Sequence, residues 1–204
     1  GKPLAPIDGI PMIVYCARNA IETGLDVFVC TDSKEVKSVC ESYNIQAILT
    51  SSCSTGTDRI AMALKDIDTE FVINLQGDEP LIGLSSLKLL IKMLPVLNNS
   101  ENTIITGITP VGSEEAFDPN NVKCAYIERQ QKVQYLSRKP LLSNSDNSAP
   151  NYYKQIGLYA MSTKTLMKFS SLKEGVLEKA EKIELLRWIE NDHQILACNL
   201  KCDS

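Results

Sequence analysis

One histidine, His193, occurs in 204 residues. Histidine-rich zinc sites are therefore excluded, and a Ser-His-Asp centre is a poor fit. His193 lies in a polar Asn-Asp-His-Gln stretch that reads as an exposed turn between a helix and a strand. No run of about 18 apolar residues occurs, so no helical membrane span is expected. The chain opens Gly-Lys-Pro-Leu, without the charged start and apolar segment of a signal peptide. No CxxC pair occurs, although there are seven cysteines: Cys16, Cys30, Cys40, Cys53, Cys124, Cys198 and Cys202. An odd, unpaired set reads as reduced, mostly buried thiols of a cytoplasmic protein. Cys198 and Cys202 have no second pair to complete a zinc site. Basic residues are not in excess: 21 Lys and Arg face 25 Asp and Glu, a net charge of -4. They are scattered, which argues against nucleic acid as a partner. There is no internal repeat and no linker long enough to split domains. Chemistry is left to carboxylates, lysines, arginines or a hard metal ion.

What is present is an alternation of helix and strand patterns. Helices are expected over 11–22, with Pro11 at the first position, and over 33–43, capped by Asp32 or Ser33. Others are expected over 57–65, 85–94, 163–169 and 176–190. Strands are expected over 25–30, 45–49, 71–75, 103–109, 122–128, 133–136, 152–160 and 194–199. A hairpin turn is expected at Glu128-Arg-Gln-Gln-Lys and a Ser/Asn-rich loop over 143–151. The first half is a βαβ series. It predicts one α/β domain with a doubly wound, mostly parallel sheet and a β-rich insertion over 103–160. In the helix over 176–190, Leu177, Ala180, Ile183, Leu186 and Ile189 form one apolar stripe. Glu178, Glu181, Glu184 and Arg187 form a ridge beside it, read as solvated at Glu178.

Three polar loops follow expected strands. "FVINLQGDEP" turns a buried strand into two adjacent carboxylates, Asp78 and Glu79. Thr31-Asp32 follows a second strand, and "SSCSTGTDR", residues 51–59, follows a third. Ligands of open α/β sheets bind beyond the carboxyl ends of the strands. The Ser/Thr/Gly run is either a phosphate seat at a helix N-terminus or an ordinary helix cap. Arg59 adds a charged donor.

These residues resemble a known family. "GKPL" (1–4), "TD" (31–32), "STGTDR" (54–59), "NLQGDEP" (74–80), "PNNVK" (119–123), "LSRKP" (136–140), "IGLYA" (156–160) and "EKAEKIELLRWIE" (178–190) follow the order of the CMP-Kdo synthetases, the 3-deoxy-manno-octulosonate cytidylyltransferases. The resemblance implies the nucleotide-diphospho-sugar transferase type of fold. It implies transfer of CMP from CTP to a 3-deoxy-2-ulosonic acid, with release of pyrophosphate, for lipopolysaccharide or related glycan synthesis. Magnesium as cofactor and a homodimer joined through the β-rich section are also implied. Lys2, Arg59 and Asp78 become the catalytic candidates. The nucleotide would be held by Lys2, Thr31, Asp32, Ser54, Gly56, Thr57, Arg59, Gln76 and Asp78, and the metal by Asp78 and Asp203. The sugar would be held by Arg138, Gln155, Tyr159, Glu184 and Leu185, with Arg138 clamping its carboxylate.

The chain departs from the family pattern in three ways. Gln155 stands where histidine is typical and Leu185 where glutamine is typical. The family's strand and Ser/Arg-rich loop before Lys2, and its C-terminal helix, are missing from the sequence. The alternatives are a different ulosonic acid or Kdo variant as substrate, a metal-dependent glycosyltransferase, or an inactive nucleotide-binding homologue.

Overall fold

The computed structural model describes residues 1–142 and 152–200. A short hairpin, β1 (Pro6–Ile7) and β2 (Ile10–Pro11), leads into α1 (Met12–Ile21), β3 (Val29–Thr31), α2 (Lys34–Ser42) and β4 (Ala47–Leu49). Then come α3 (Gly56–Ala63), β5 (Phe71–Leu75) and α4 (Leu84–Met93). The second half runs β6 (Thr103–Val111), α5 (Ser113–Phe117), β7 (Lys123–Ile127), β8 (Lys132–Ser137) and β9 (Tyr152–Ser162). It ends with α6 (Thr163–Ser171), α7 (Val176–Glu181), α8 (Leu186–Glu190) and β10 (Gln194–Asn199). Local signals explain several starts. Ser33 accepts a bond from the Val36 amide to cap α2, Thr55 caps α3 through the Asp58 amide, and Ser162 caps α6 through the Thr165 amide. The loop expected over 143–151 lies outside the described residues, as do Cys202 and Asp203.

The sheet is mixed, which corrects the expectation of a mostly parallel one. Its order is β5-β9-β6-β10-β8-β7, and only β6 and β10 run parallel within it. β3 and β4 form a separate parallel pair. The cause is β9, which runs antiparallel between β5 and β6. A buried central strand is apolar on both faces whatever its direction, so its composition does not reveal its sense. β7 also pairs with β9 at Lys123 and Lys154, which closes the β9-β6-β10-β8-β7 strands on themselves.

Alternate residues of β9 feed two cores. Tyr159 and Met161 pack with Trp188, Phe169 and Ile104 on one face. Ile156, Leu158 and Ala160 pack with Leu90, Ile105 and Leu200 on the other. A third cluster joins α1, α2 and β3 through Val14, Val29 and Cys40.

The helix expected over 176–190 is interrupted. Lys182 adopts a left-handed conformation, with φ 55°, at the end of α7, and α8 begins only at Leu186. The break resets the helical phase. Ala180, expected in the apolar stripe, is exposed. Glu178, expected in solvent, is buried and faces a buried Arg187.

Candidate active site

The end of β5 is clipped to β9 at Gly157. The Gln76 amide donates to the Gly157 carbonyl at 2.8 Å, and the Gly157 amide donates to Glu79 Oε1 at 2.8 Å. A Cβ at residue 157 would stand 2.8 Å from Gln76 Oε1 and 3.0 Å from Glu79 Cγ, so only glycine allows this approach. Glu79 is thereby turned inward. Its burial, with Asp78 alongside, raises its carboxyl above the usual carboxylate range against the Gly157 bond. Asp78 is left exposed, and Lys2 Nζ donates to its Oδ2 at 2.7 Å. That bond raises the Lys2 ammonium above its ordinary value. Lys2 belongs to a short 3-10 turn, Lys2–Leu4, so two residues 76 positions apart meet at one strand end.

Two clefts adjoin this rim, of about 370 and 330 Å³. Gln76, Val122, Arg138, Gln155 and Tyr159 form their common wall. Gln76 and Gln155 both donate to the buried Tyr159 hydroxyl, at 3.1 and 2.9 Å. Burial holds that phenol well above its ordinary value, and the nearby Glu184 and Glu79 charges add to the effect. Ser54, Thr55, Gly56 and Glu184 belong to the larger cleft; Asp78, Glu79, Asn120, Asn121 and Lys154 belong to the smaller.

The loop before α3 differs from a vacant phosphate seat. The Thr57 amide and hydroxyl both donate to the Glu184 carboxylate, at 3.3 and 3.0 Å, and the Asp58 amide donates to Thr55 Oγ1 at 3.1 Å. A carboxylate of the chain occupies the place where the helix terminus attracts an anion. Burial raises the Glu184 carboxyl, and the two Thr57 bonds oppose the rise. Thr57 is buried behind Glu184 and lines neither cleft. Arg59 joins Asp32 Oδ2 at 3.0 Å and Thr50 Oγ1 at 2.8 Å, and its bond holds the Asp32 carboxyl below its ordinary value. Thr31 accepts from the Ser33 amide at 3.1 Å. Thr31, Asp32 and Arg59 stand together but line neither cleft.

Arg138 reaches both clefts, but its fork is partly engaged. Nε donates to the Glu181 carbonyl at 2.8 Å, and the terminal nitrogens donate to the Pro119 and Lys182 carbonyls at 3.0 and 3.4 Å. Guanidinium carries five N–H donors, so two are not engaged by the described residues. Behind it the buried Lys123 donates to the carbonyls of Asp118, Asn121 and Arg138. Burial lowers the Lys123 ammonium.

Leu185, expected beside the sugar, is fully buried in the core and lines neither cleft. The break at Lys182 gives the cleft to Glu184 and turns its neighbour inward. Asp203 lies outside the described residues. Among the described residues no group of three or more His, Cys, Asp or Glu could hold a metal ion. Sequence reasoning did not single out Lys154, Asn120 or Asn121 as site residues. "PNNVK" was the available signal for the two asparagines; Lys154 had none.

A polar rim at the carboxyl end of β5, with a lysine-paired carboxylate and two clefts beside it, defines an α/β protein with a ligand site beyond a strand end. Its family follows from comparison with known proteins. A family model described as "Cytidylyltransferase" matches residues 1–195, and the chain belongs to that family. It is 37% identical over 199 residues to a 3-deoxy-manno-octulosonate cytidylyltransferase of Chlorobium limicola, covering 95% of this chain and 80% of the relative. It is 35% identical over 201 residues to an 8-amino-3,8-dideoxy-manno-octulosonate cytidylyltransferase of Shewanella sp. (strain ANA-3), covering 96% and 82%. Among solved structures, CMP:2-keto-3-deoxy-manno-octonic acid synthetase complexed with CTP superimposes with a TM-score of 0.89 at 30% identity, covering 98% of this chain and 83% of the other.

Proposed function

We propose that this enzyme transfers CMP from CTP to the anomeric hydroxyl of 3-deoxy-manno-octulosonate, releasing pyrophosphate. The observation that carries the reading is the likeness, over 98% of the chain, to a synthetase complexed with CTP, with the Lys2–Asp78 pair at the rim of two joined clefts. In the reaction the anomeric O–H gives up its proton, its oxygen bonds to the α-phosphorus, and the bond from that phosphorus to the bridging oxygen breaks, so that pyrophosphate leaves. Attacker and phosphate are both anionic, so neutralising charge is the main task. Lys2 supplies one cation at the Asp78 rim, and the inward Glu79 fixes the turn that carries both carboxylates.

Magnesium is part of this proposal. It takes one or two carboxylates and keeps several waters. Asp78 fits: its side chain is 44% exposed at a strand end, and among the described residues only one of its oxygens accepts a bond. Asp78 would hold the ion, with Asp203 the second candidate. The ion would supply charge neutralisation at the phosphates. The sugar's carboxylate is assigned to the Arg138 guanidinium, and its hydroxyls to Gln155, Tyr159 and Glu184. A cytoplasmic homodimer joined through residues 103–160 completes the reading. The exposed apolar Phe117 and Leu142 in that section support it.

The test is pyrophosphate release from each nucleoside triphosphate with Kdo, with and without EDTA. Release with CTP alone, abolished by EDTA, is expected. Equal release from all four would overturn the cytidylyltransferase reading. The relative from Shewanella motivates a parallel run with 8-amino-3,8-dideoxy-manno-octulosonate. Faster turnover of that sugar would make it the substrate. Arg138→Ala is expected to raise the KM for the ulosonate ~10- to 100-fold, since a charged hydrogen bond contributes roughly 1.5–3 kcal/mol. The KM for CTP should stay within about threefold, because the Asp78 rim is untouched. Equal rises in both would remove Arg138 from the sugar.

A further inference from the structure

Arg187 is buried, 3% exposed, and none of the roles above uses it. Its guanidinium grips Glu178 by two bonds, Nε to Oε2 at 2.8 Å and a terminal nitrogen to Oε1 at 2.7 Å. The other terminal nitrogen meets both oxygens of Asp58, at 3.2 and 3.4 Å. Its face stacks on the Phe169 ring at 4.7 Å. These partners come from three elements: α7, α3 and α6.

Asp58 also accepts from the Thr55 hydroxyl at 2.9 Å. Thr57, its neighbour, holds Glu184. Glu184 lies three residues before Arg187. Two adjacent residues of α3 are therefore tied to two residues of one turn before and within α8. Arg187 is the member that also reaches α7, across the left-handed break at Lys182. Thr55 and Gly56 form one wall of the larger cleft; Glu178, Lys182 and Glu184 form another.

We infer that Arg187 is a positioning residue: it locks the α7–α8 corner to the α3 loop and so sets where Glu184 meets the sugar. The fork is what matters. Two carboxylates on different elements are held by one planar group at fixed angles, which a lysine ammonium cannot reproduce. Glu190, which accepts from the Leu177 and Glu178 amides at 2.9 and 3.3 Å, also joins α8 to the start of α7. Loss of the fork therefore shifts the corner without releasing it.

The kinetic consequence rests on the function proposed above. Arg187→Lys should raise the KM for the ulosonate at least ~10-fold, since small misplacements of binding groups are costly. The KM for CTP should stay within about threefold. Parallel rises in both constants, or unchanged constants in a folded Arg187→Lys protein, would overturn the inference.

A second measurement does not depend on the substrate. The thermal midpoint is read for Glu184→Gln alone, Arg187→Lys alone and both together. The side chains of Glu184 and Arg187 share no hydrogen bond and would couple through the adjacent Thr57 and Asp58, whereas uncoupled residues would give additive shifts. A positioning role predicts that Glu184→Gln shifts the midpoint by less than half as much in the Arg187→Lys background. Additive shifts would sink the inference whatever the sugar. Failure of the wild type to use any ulosonate, with non-additive shifts intact, would instead overturn the function and keep the positioning role.

Discussion

Asp78→Asn is expected to lower kcat by ~10³-fold, in line with the loss of one preorganised electrostatic group at a reacting phosphate. Stability should hardly move. The Lys2–Asp78 pair is exposed, with side chains 70% and 44% accessible, and such pairs contribute ~0–1 kcal/mol. Asparagine keeps the shape and a hydrogen-bonding oxygen but loses the charge. Excess Mg²⁺ should fail to restore turnover, and CTP binding by calorimetry in the absence of Mg²⁺ should survive. Turnover within tenfold of the wild type would remove Asp78 from the metal site.

The second large effect concerns stability. Arg187→Met should cost about 3–5 kcal/mol, because removing one member of a buried ion group leaves its partners uncompensated. Glu178 would be left 4% exposed without a cation, and Asp58 would lose the Arg187 cation. At roughly 2–4 °C per kcal/mol for a domain of this size, the midpoint should fall by ~6–20 °C. Replacing Glu178 with Leu as well should recover part of that loss, since an apolar pair of similar volume carries no charge to desolvate. A fall of under about 3 °C for Arg187→Met would mean that water enters the site and solvates the two acids.

Two strands were readable end to end from residue order, whereas those expected over 25–30 and 45–49 form only at Val29–Thr31 and Ala47–Leu49. Phe71–Leu75 and Gln194–Asn199 occupy the expected spans, because each is a short, largely apolar run entered from a polar stretch. Direction was not readable. β9 has the same apolar content as a parallel strand, and its antiparallel run is fixed by partners 41 to 91 residues away, from Val111↔Tyr152 to Phe71↔Ser162. The helix over 176–190 failed for a local reason. Its 3.6-residue spacing is nearly unbroken, yet Lys182 adopts φ 55° and splits it. Nothing in lysine announces that conformation; the grip of Arg187 on Glu178 and the Glu190 bonds to the start of α7 join the two short helices across it.

At the site, Asp78 and Gln76 stand at the clefts as their place after a strand suggests. The occupied Thr57 amide was not legible. Ser/Thr/Gly before a helix signals an anion-seeking terminus but not which anion arrives, and Glu184 is 127 positions away. Leu185 shows the same limit: the break at Lys182, more than the residue's kind, decides that it faces the core.

β9 has a consequence for how this protein tolerates change in length. Its even positions and its odd positions serve different masters: Leu158 and Ala160 seal one core, while Tyr159 serves the clefts and the other core. Inserting or deleting one residue there would exchange the two sets throughout the strand. Tyr159 would enter an aliphatic layer with a stranded hydroxyl, and the position without a Cβ would slide away from Gln76 and Glu79. Both sides of one ribbon are committed, one to a core and the other to a second core and the clefts, so a frame slip in β9 damages fold and ligand recognition at once.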